Sequence, residues 1–397
     1  MGSGAPTRQG RAAMSLELPP EGRHVGRAWR PGIGPAVVAA RRGRALDITA
    51  RGWPTVSALL EREDAGDVVA DAPGEDLGPL AELEAASLDA ARGGDGDALR
   101  LLAPCDLQAV KACGVTFARS MIERVIEERS GGEPSRAEAI RARVGAAVGE
   151  RLRDLVPGSA EAAEVKRVLQ AEGLWSQYLE VGIGPDAEVF TKCPPLAAVG
   201  HGALVGLHPA SRWNNPEPEV VLAVDSRGAV RGAALGNDVN LRDVEGRSAL
   251  LLGRAKDNNA SASIGPFIRL FDDRWGMDEV RRLELALTVE GEDGFLLEGA
   301  SSMAEISRDP EDLVAQARGR HHQYPDGFVL YLGTLFAPTQ DRGEAGQGFT
   351  HHLGDRVTIA APALGALVNT VALSTEAPEW AFGAGALMRN LAGRGLL

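Results

Sequence analysis

The stretch Asn214-Asn215-Pro216-Glu217-Pro218-Glu219-Val220-Val221-Leu222-Ala223-Val224, followed by Gly236-Asn237-Asp238, gathers three carboxylates at what reads as one end of a β-hairpin. Side chains two apart on a strand share a face, so Glu217 and Glu219 project together. Val220 to Val224 is the apolar run of a buried strand, Asp225-Ser226-Arg227-Gly228 a turn signal and Ala229 to Leu235 the returning strand. If the hairpin is symmetric about that turn, the residue opposite Glu219 is near Ala234, and Asp238 arrives just beyond the level of Glu217. Two like charges about 4 Å apart repel by roughly 4 kcal/mol at an effective dielectric of about 20. Three such pairs approach a whole domain's stability of about 5–15 kcal/mol. A divalent cation or protonation has to relieve them, and all-oxygen ligation favours Mg²⁺, Mn²⁺ or Ca²⁺ over zinc. The plainer reading leaves the two glutamates on an exposed strand end, apart from Asp238.

Lysine usage is the second chemical signal. Of 42 basic residues only Lys111, Lys166, Lys192 and Lys256 are lysines. Lysine can lose its proton when buried or crowded by other cations, which arginine cannot. Lys256, in Gly253-Arg254-Ala255-Lys256-Asp257-Asn258-Asn259, falls in the right region for a catalytic base; a structural salt bridge is the other reading.

Composition limits the classes available. At 397 residues, with 44% hydrophobic residues and a formal charge of −13, the chain has room for a large core and two domains. The acidic balance argues against a nucleic-acid surface. No apolar run approaches the roughly 20 residues of a membrane span, and no secretory leader is evident, so a cytoplasmic protein is expected. Cys105, Cys113 and Cys193 are odd in number and lack a CxxC, which predicts buried thiols rather than disulfides or zinc. The adjacent pairs His321-His322 and His351-His352 lack the spacing of a helical metal site.

The elements that must position these groups divide the chain into three. Residues 1–13 read as a disordered extension. Residues 14–105 read as a small N-terminal α/β domain, with short strands at Ala36 to Ala40 and Ala45 to Ile48 around an Arg-Arg-Gly-Arg turn. Residues 106–397 read as the catalytic domain, opened by a strand over Leu107 to Val115 and interrupted by a helical insertion at about 120–175. In the first insertion helix Met121, Ile122, Val125 and Ile126 share one face, with Glu123, Glu127 and Glu128 expected outside. Gly131-Gly132 ends it, and Ser135 with Glu138 forms a capping-box pattern for the next. Beyond Tyr178 the pattern is mainly strand and turn. The whole is an α+β chain, mainly β.

Gly114-Val115-Thr116-Phe117, Phe190-Thr191-Lys192, Glu217-Pro218-Glu219, Gly236-Asn237-Asp238-Val239-Asn240-Leu241-Arg242-Asp243, Lys256-Asp257, Ile264-Gly265-Pro266, Gly333-Thr334 and Leu353-Gly354-Asp355-Arg356-Val357 occur in this order. In that order the sequence resembles the fumarylacetoacetate hydrolase superfamily over about residues 107–375. The resemblance implies a mixed β-roll catalytic domain, a homodimer or dimer of dimers, and Mg²⁺ or Mn²⁺ held by Glu217, Glu219 and Asp238. It further implies an active-site lysine at Lys256 and a 2-keto or 2,4-diketo acid substrate that chelates the metal.

Departures from the family pattern bear on the reaction. Hydrolases of this family commonly carry Asn-Tyr-x-x-His-x-x-Glu where this chain has Thr116-Phe117-Ala118-Arg119-Ser120-Met121-Ile122-Glu123. A serine at position 120 is a poor general base near neutral pH. The helical insertion and Gly-Val-Thr-Phe instead look like the sugar-acid branch, the 2-keto-3-deoxypentonate dehydratases. That resemblance implies loss of water from 2-keto-3-deoxy-D-xylonate or arabinonate to give 2,5-dioxopentanoate. Lys256 is then the base at C3, Ser120, Arg119 and Thr334 contact substrate oxygens, and Arg242 and Asp243 orient the metal ligands. Ser120 and Arg119 could equally begin a helix, and Thr334 satisfy a turn. The alternatives are a metal-dependent hydrolase of 2,4-diketo acids using Glu123 and a water, and a silent keto-acid-binding homologue.

Overall fold

The computed structural model describes residues 16–397 except 92, 94–95, 138, 141–154, 174, 337 and 344–345. The extension expected at 1–13, Glu138 and most of the second insertion helix lie outside the described residues.

Apolar alternation and turn glycines set the strands. β1 (His24–Arg30), β2 (Gly34–Arg41), β3 (Arg44–Asp47) and β4 (Glu75–Pro79) form a meander, and β5 (Arg100–Leu102) pairs with β1. The expected Arg-rich turn is present: Arg42 and Gly43 both adopt positive φ, the conformation a tight hairpin requires. β6 (Ala109–Gly114) and β7 (Glu188–Cys193) pair across the helical insertion. Then follow β8 (Leu204–Leu207), β9 (Asn214–Asn215), β10 (Pro218–Val224), β11 (Val230–Asp238), β12 (Asn240–Leu241) and β13 (Ala262–Leu270). β14 (Glu284–Glu290), β15 (Leu296–Ser302), β16 (Phe328–Tyr331), β17 (Arg356–Ala361) and β18 (Gly365–Leu373) complete the set.

One large sheet runs β4-β3-β2-β1-β13-β11-β10-β16-β6-β7, and a second runs β15-β14-β17-β18-β8. Val220, Leu222, Leu235 and Leu330 on one face of the large sheet pack against Leu285, Leu287, Val357, Ile359 and Leu367 of the second. The opposite face, with Val221, Ala223, Ala234, Val329 and Tyr331, packs on Val56, Leu59, Leu60 and Val69 of the N-terminal segment. Each valine, leucine or isoleucine among them, fully buried, contributes about 1.5–3 kcal/mol. His24 and Val25 of β1 pair with Arg269 and Ile268 of β13. The strands before residue 105 therefore continue the same sheet that carries β10 and β11.

The helix Ala118–Ser130 closes one end of that sheet. It ends at Gly131 in the left-handed conformation. Met121, Val125 and Ile126 pack on Tyr178, Leu179, Ile183 and Trp213, as the apolar spacing predicts. Glu123 and Glu127 differ from the expectation: both are buried rather than outside, because arginines meet them there.

Candidate active site

β10 and β11 deliver the carboxylates with a register other than the one expected. Glu219 lies opposite Gly236, and Ala234 is instead opposite Val221. The difference comes from the loop closed by the Asp225 N–H to Ala229 carbonyl bond and from a bulge between Ala223 and Val224 in the pairing. The slip is by two residues, so the facing is preserved. Asp238 N–H donates to the Glu217 carbonyl at 3.1 Å, setting Asp238 level with Glu217. One oxygen from each of Glu217, Glu219 and Asp238 lies within 4.8 Å of the others, and all three residues are buried. The exposed strand end considered as the plainer reading is therefore not what forms. Tyr331 packs over Gly236 beside them, its hydroxyl donating to the Ser263 carbonyl at 2.7 Å.

Cations hold two of the three carboxylates. Lys256, at the end of the helix Leu252–Lys256, places Nζ 2.5 Å from Glu217 Oε2 and 3.1 Å from Asp238 Oδ2. Lys192, fully buried on β7, places Nζ 2.6 Å from Asp238 Oδ1. Arg124 Nη2 donates to Glu217 Oε1 at 2.6 Å. Among the described residues Glu219 accepts one hydrogen bond, from the Gly333 N–H at 2.6 Å from Oε2. Burial, then Asp238 and Glu217, push the Glu219 carboxyl well above the usual carboxylate range. Burial would raise Asp238 too, but Lys192 and Lys256 outweigh it and hold its pKa down. Burial would lower Lys256, yet Asp238, Glu217 and Glu245 outweigh that and hold the ammonium form. The neutral amine expected of a base is not what this surrounding favours while Lys256 sits between the two carboxylates.

The charge inventory fits a divalent ion. Glu127, Glu217, Glu219, Asp238 and Glu245 line the cleft with Arg124, Arg242 and Lys256. With every group ionised this leaves two negative charges uncompensated. Counting Lys192 beside Asp238 and Glu188 beside Gly114 leaves the same excess. Burial raises Glu245 to about 7, against the pull of Arg124 and Lys256. The donors nearest one another are all oxygen, which suits Mg²⁺, Mn²⁺ or Ca²⁺.

The other sequence-predicted residues divide. Ser120 lines the cleft, its hydroxyl donating to the Phe117 carbonyl at 2.9 Å. Thr334 lines it too, with Oγ1 accepting from Phe336 N–H at 3.1 Å. Arg119 does not reach it: the residue is exposed, turned about 100° around the helix from Ser120. Arg124, one turn after Ser120, takes the inward place. Arg242 touches none of the three carboxylates; its Nε donates to Glu127 Oε1 at 2.6 Å and its guanidinium lies 4.2 Å from the Trp213 ring centroid. Asp243 accepts from Ser211 Oγ and Arg212 N–H, both at 2.8 Å, and so anchors the loop that leads into Asn214 and Glu217.

Glu188, Lys192 and Arg124 are site residues that sequence reasoning missed. Glu188, Phe190 and Lys192 alternate on β7 and so share a face. Phe190 lines the cleft with its ring centroid 6.0 Å from Lys256 Nζ. Glu188 Oε2 occupies the space where Gly114 lacks a side chain: a Cβ there would lie 1.8 Å from it. Burial, with Glu217 and Asp238 adding to it against Arg124 and Lys256, raises the Glu188 pKa. The signal for Lys192 was its rarity as a lysine; for Glu188 it was strand alternation.

Residues 194–372 match the family described as fumarylacetoacetate (FAA) hydrolase, C-terminal. The similarity to that family covers 179 of the 397 residues. It is 31% identical over 194 residues to a probable 2-keto-3-deoxyxylonate dehydratase of Haloferax volcanii, covering 49% of this chain and 63% of that protein. It is likewise 31% identical over 156 residues to a 2-dehydro-3-deoxy-D-arabinonate dehydratase of Saccharolobus solfataricus, covering 39% and 51%. The matched stretches thus span between half and two thirds of these curated relatives. The fold is similar to that of a 2-keto-3-deoxy-D-arabinonate dehydratase solved with magnesium and 2,5-dioxopentanoate, at a TM-score of 0.60 and 20% identity over 88% of this chain and 98% of the other. A fumarylacetoacetate hydrolase from Exiguobacterium antarcticum is similar at a TM-score of 0.51 and 15% identity, covering 88% and 99%. At these identities the likeness to solved structures is one of fold, a sheet-rich α+β architecture. Among the described residues no helix is long and apolar enough to cross a membrane.

Proposed function

We propose that this chain is a metal-dependent hydro-lyase that removes water from a 2-keto-3-deoxy-D-pentonate, of the xylonate or arabinonate type, to give 2,5-dioxopentanoate. The observation that carries the reading is the convergence of Glu217, Glu219 and Asp238 in a buried cleft. The names of the two curated relatives supply the substrate class.

In this reading Glu217, Glu219 and Asp238 hold Mg²⁺ or Mn²⁺, and the chemistry such an ion supplies is polarisation of the 2-keto oxygen, which acidifies the C3 protons. Lys256 carries the C3 proton. To accept it, Lys256 Nζ has to part from Glu217 and Asp238, which otherwise keep it charged. Glu188, whose pKa burial raises, protonates the departing C4 hydroxyl. The C3–H and C4–O bonds break and water leaves; loss of a proton from C5 and return of one to C3 move the new double bond to C4–C5, and this enol, protonated at C4 as its hydroxyl proton leaves, becomes the terminal aldehyde. The Thr334 hydroxyl proton remains available to a substrate oxygen, since the Phe336 bond uses only its lone pair.

Two observations weigh against the C–C hydrolase reading. Ser120 donates its proton to a backbone carbonyl, and Glu123 pairs with Arg242 at 3.4 Å. The deciding experiment is incubation of the Mg²⁺-loaded protein with a panel of 2-keto-3-deoxy and 2,4-diketo acids, followed by mass spectrometry. A product lighter by one water supports the proposal; two fragments from a diketo acid would overturn it.

A further inference from the structure

We infer that Arg124 and Glu127 are positioning residues that tie the setting of Glu217 to the backbone at Pro338. The inference rests on the metal-dependent reading above and names a linkage within that site.

The linkage is a buried line of opposite charges. Arg124 Nη2 donates to Glu217 Oε1 at 2.6 Å, while Nη1 reaches Glu127 Oε2 at 2.6 Å and Glu245 Oε2 at 2.9 Å. Glu127 turns its other oxygen to Arg242 Nε at 2.6 Å. Arg242 Nη1 then donates to the Pro338 carbonyl at 3.3 Å. Helix periodicity makes this possible: Ser120, Arg124 and Glu127 stand at i, i+4 and i+7 on one face of Ala118–Ser130.

Two consequences follow for Glu217. Its Oε1 is committed to Arg124, so only Oε2, now facing Lys256, is free to turn toward an ion; Glu217 serves as a one-oxygen donor. The loop after β16 also meets the carboxylates at two points, directly where Gly333 N–H binds Glu219 and indirectly where Pro338 holds Arg242. Moving the loop therefore moves both Glu219 and Glu217. An ion pair network serving stability alone would lack this effect, since Glu127 touches no metal-side carboxylate.

The test uses full-length Arg124→Lys and Glu127→Gln proteins, each checked for a native circular dichroism spectrum, with Glu164→Gln on the surface as control. Mn²⁺ binding is measured by electron paramagnetic resonance and calorimetry, and hydrogen exchange of the 333–340 segment with and without Mg²⁺. The expected result is Mn²⁺ affinity lower by about 10–100-fold in both variants, with Mg²⁺-induced loop protection present in the wild type and lost in Glu127→Gln. Affinity within twofold of wild type in folded Glu127→Gln overturns the inference. If that variant does not fold, Arg242→Lys, which breaks the Pro338 contact, is read by the same two measurements and the same thresholds. A wild type that binds Mn²⁺ but dehydrates no keto acid would instead remove the proposed reaction and leave the linkage intact.

Discussion

Lys256 Nζ lies 2.5 Å from Glu217 Oε2 and is the cation shared between Glu217 and Asp238. A positive charge thus already stands between two of the three converging carboxylates, leaving Glu219 without one. The balance of the site follows from that asymmetry.

Glu219→Gln removes a buried carboxyl whose ionisation is opposed by burial, Asp238 and Glu217. In metal-free buffer the variant is expected to melt no lower than the wild type. Magnesium at 100 times its dissociation constant should stabilise the wild type by about 2.7 kcal/mol and leave the variant unmoved. Thermal melts with and without Mg²⁺ measure both, and a variant that still gains stability from Mg²⁺ would contradict the ligand assignment.

Lys256 and Glu188 serve different atoms in the proposed reaction, and their variants should separate. In deuterated water, Lys256→Met is expected to lose both turnover and exchange at C3. Glu188→Gln is expected to lose about 10²–10⁴-fold in turnover while C3 still takes up deuterium, followed by proton NMR. Equal loss of exchange in both variants would remove Glu188 from the role of acid at C4.

Acid sensitivity should come in part from His24. Burial, then Arg269, lowers its pKa to about 4 from 6.5. Between those values the unfolded chain binds the extra proton, so stability falls as pH drops through the window. The loss saturates near 3 kcal/mol, or ~1.4 kcal/mol per unit. Denaturant melts from pH 7 to 4 should show a shallower slope in His24→Leu; the same slope in both proteins would exclude this origin.

Gly236 lies opposite Glu219 in the β10–β11 pairing. An added Cβ would lie 2.4 Å from Tyr331 Cε1 and 2.5 Å from Val221 Cγ2. Gly236→Ala is expected to cost about 1–3 kcal/mol through overpacking and to displace Tyr331 from the Ser263 carbonyl. A chemical denaturation midpoint unchanged from wild type would show that the packing there yields without strain.

Much of this was legible from residue order alone. The Glu-x-Glu spacing and the apolar run after it place two carboxylates on one face whatever the turn does, because strand alternation has a period of two. The turn itself was not legible: the five-residue loop and the bulge near Val224, which depends on the pairing of both strands, together moved Glu219 from Ala234 to Gly236. Arg119 failed for a related reason. A short motif names a helix start but not its rotation, and packing of Met121, Val125 and Ile126 turned Arg124 inward instead. Glu127 is the clearest limit, since a glutamate on a predicted outer face is buried only if an arginine from a distant segment arrives to meet it.

β1 pairs with β13, the neighbour of the strand that carries Asp238. Removing the first hundred residues would therefore strip the hydrogen-bonding partner from β13 along that pairing and uncover the apolar face that Val56, Leu59 and Leu60 roof. Such a shortened protein would present an adhesive border one strand away from its chemistry, and self-association, rather than a trimmed but working catalyst, is what that border invites.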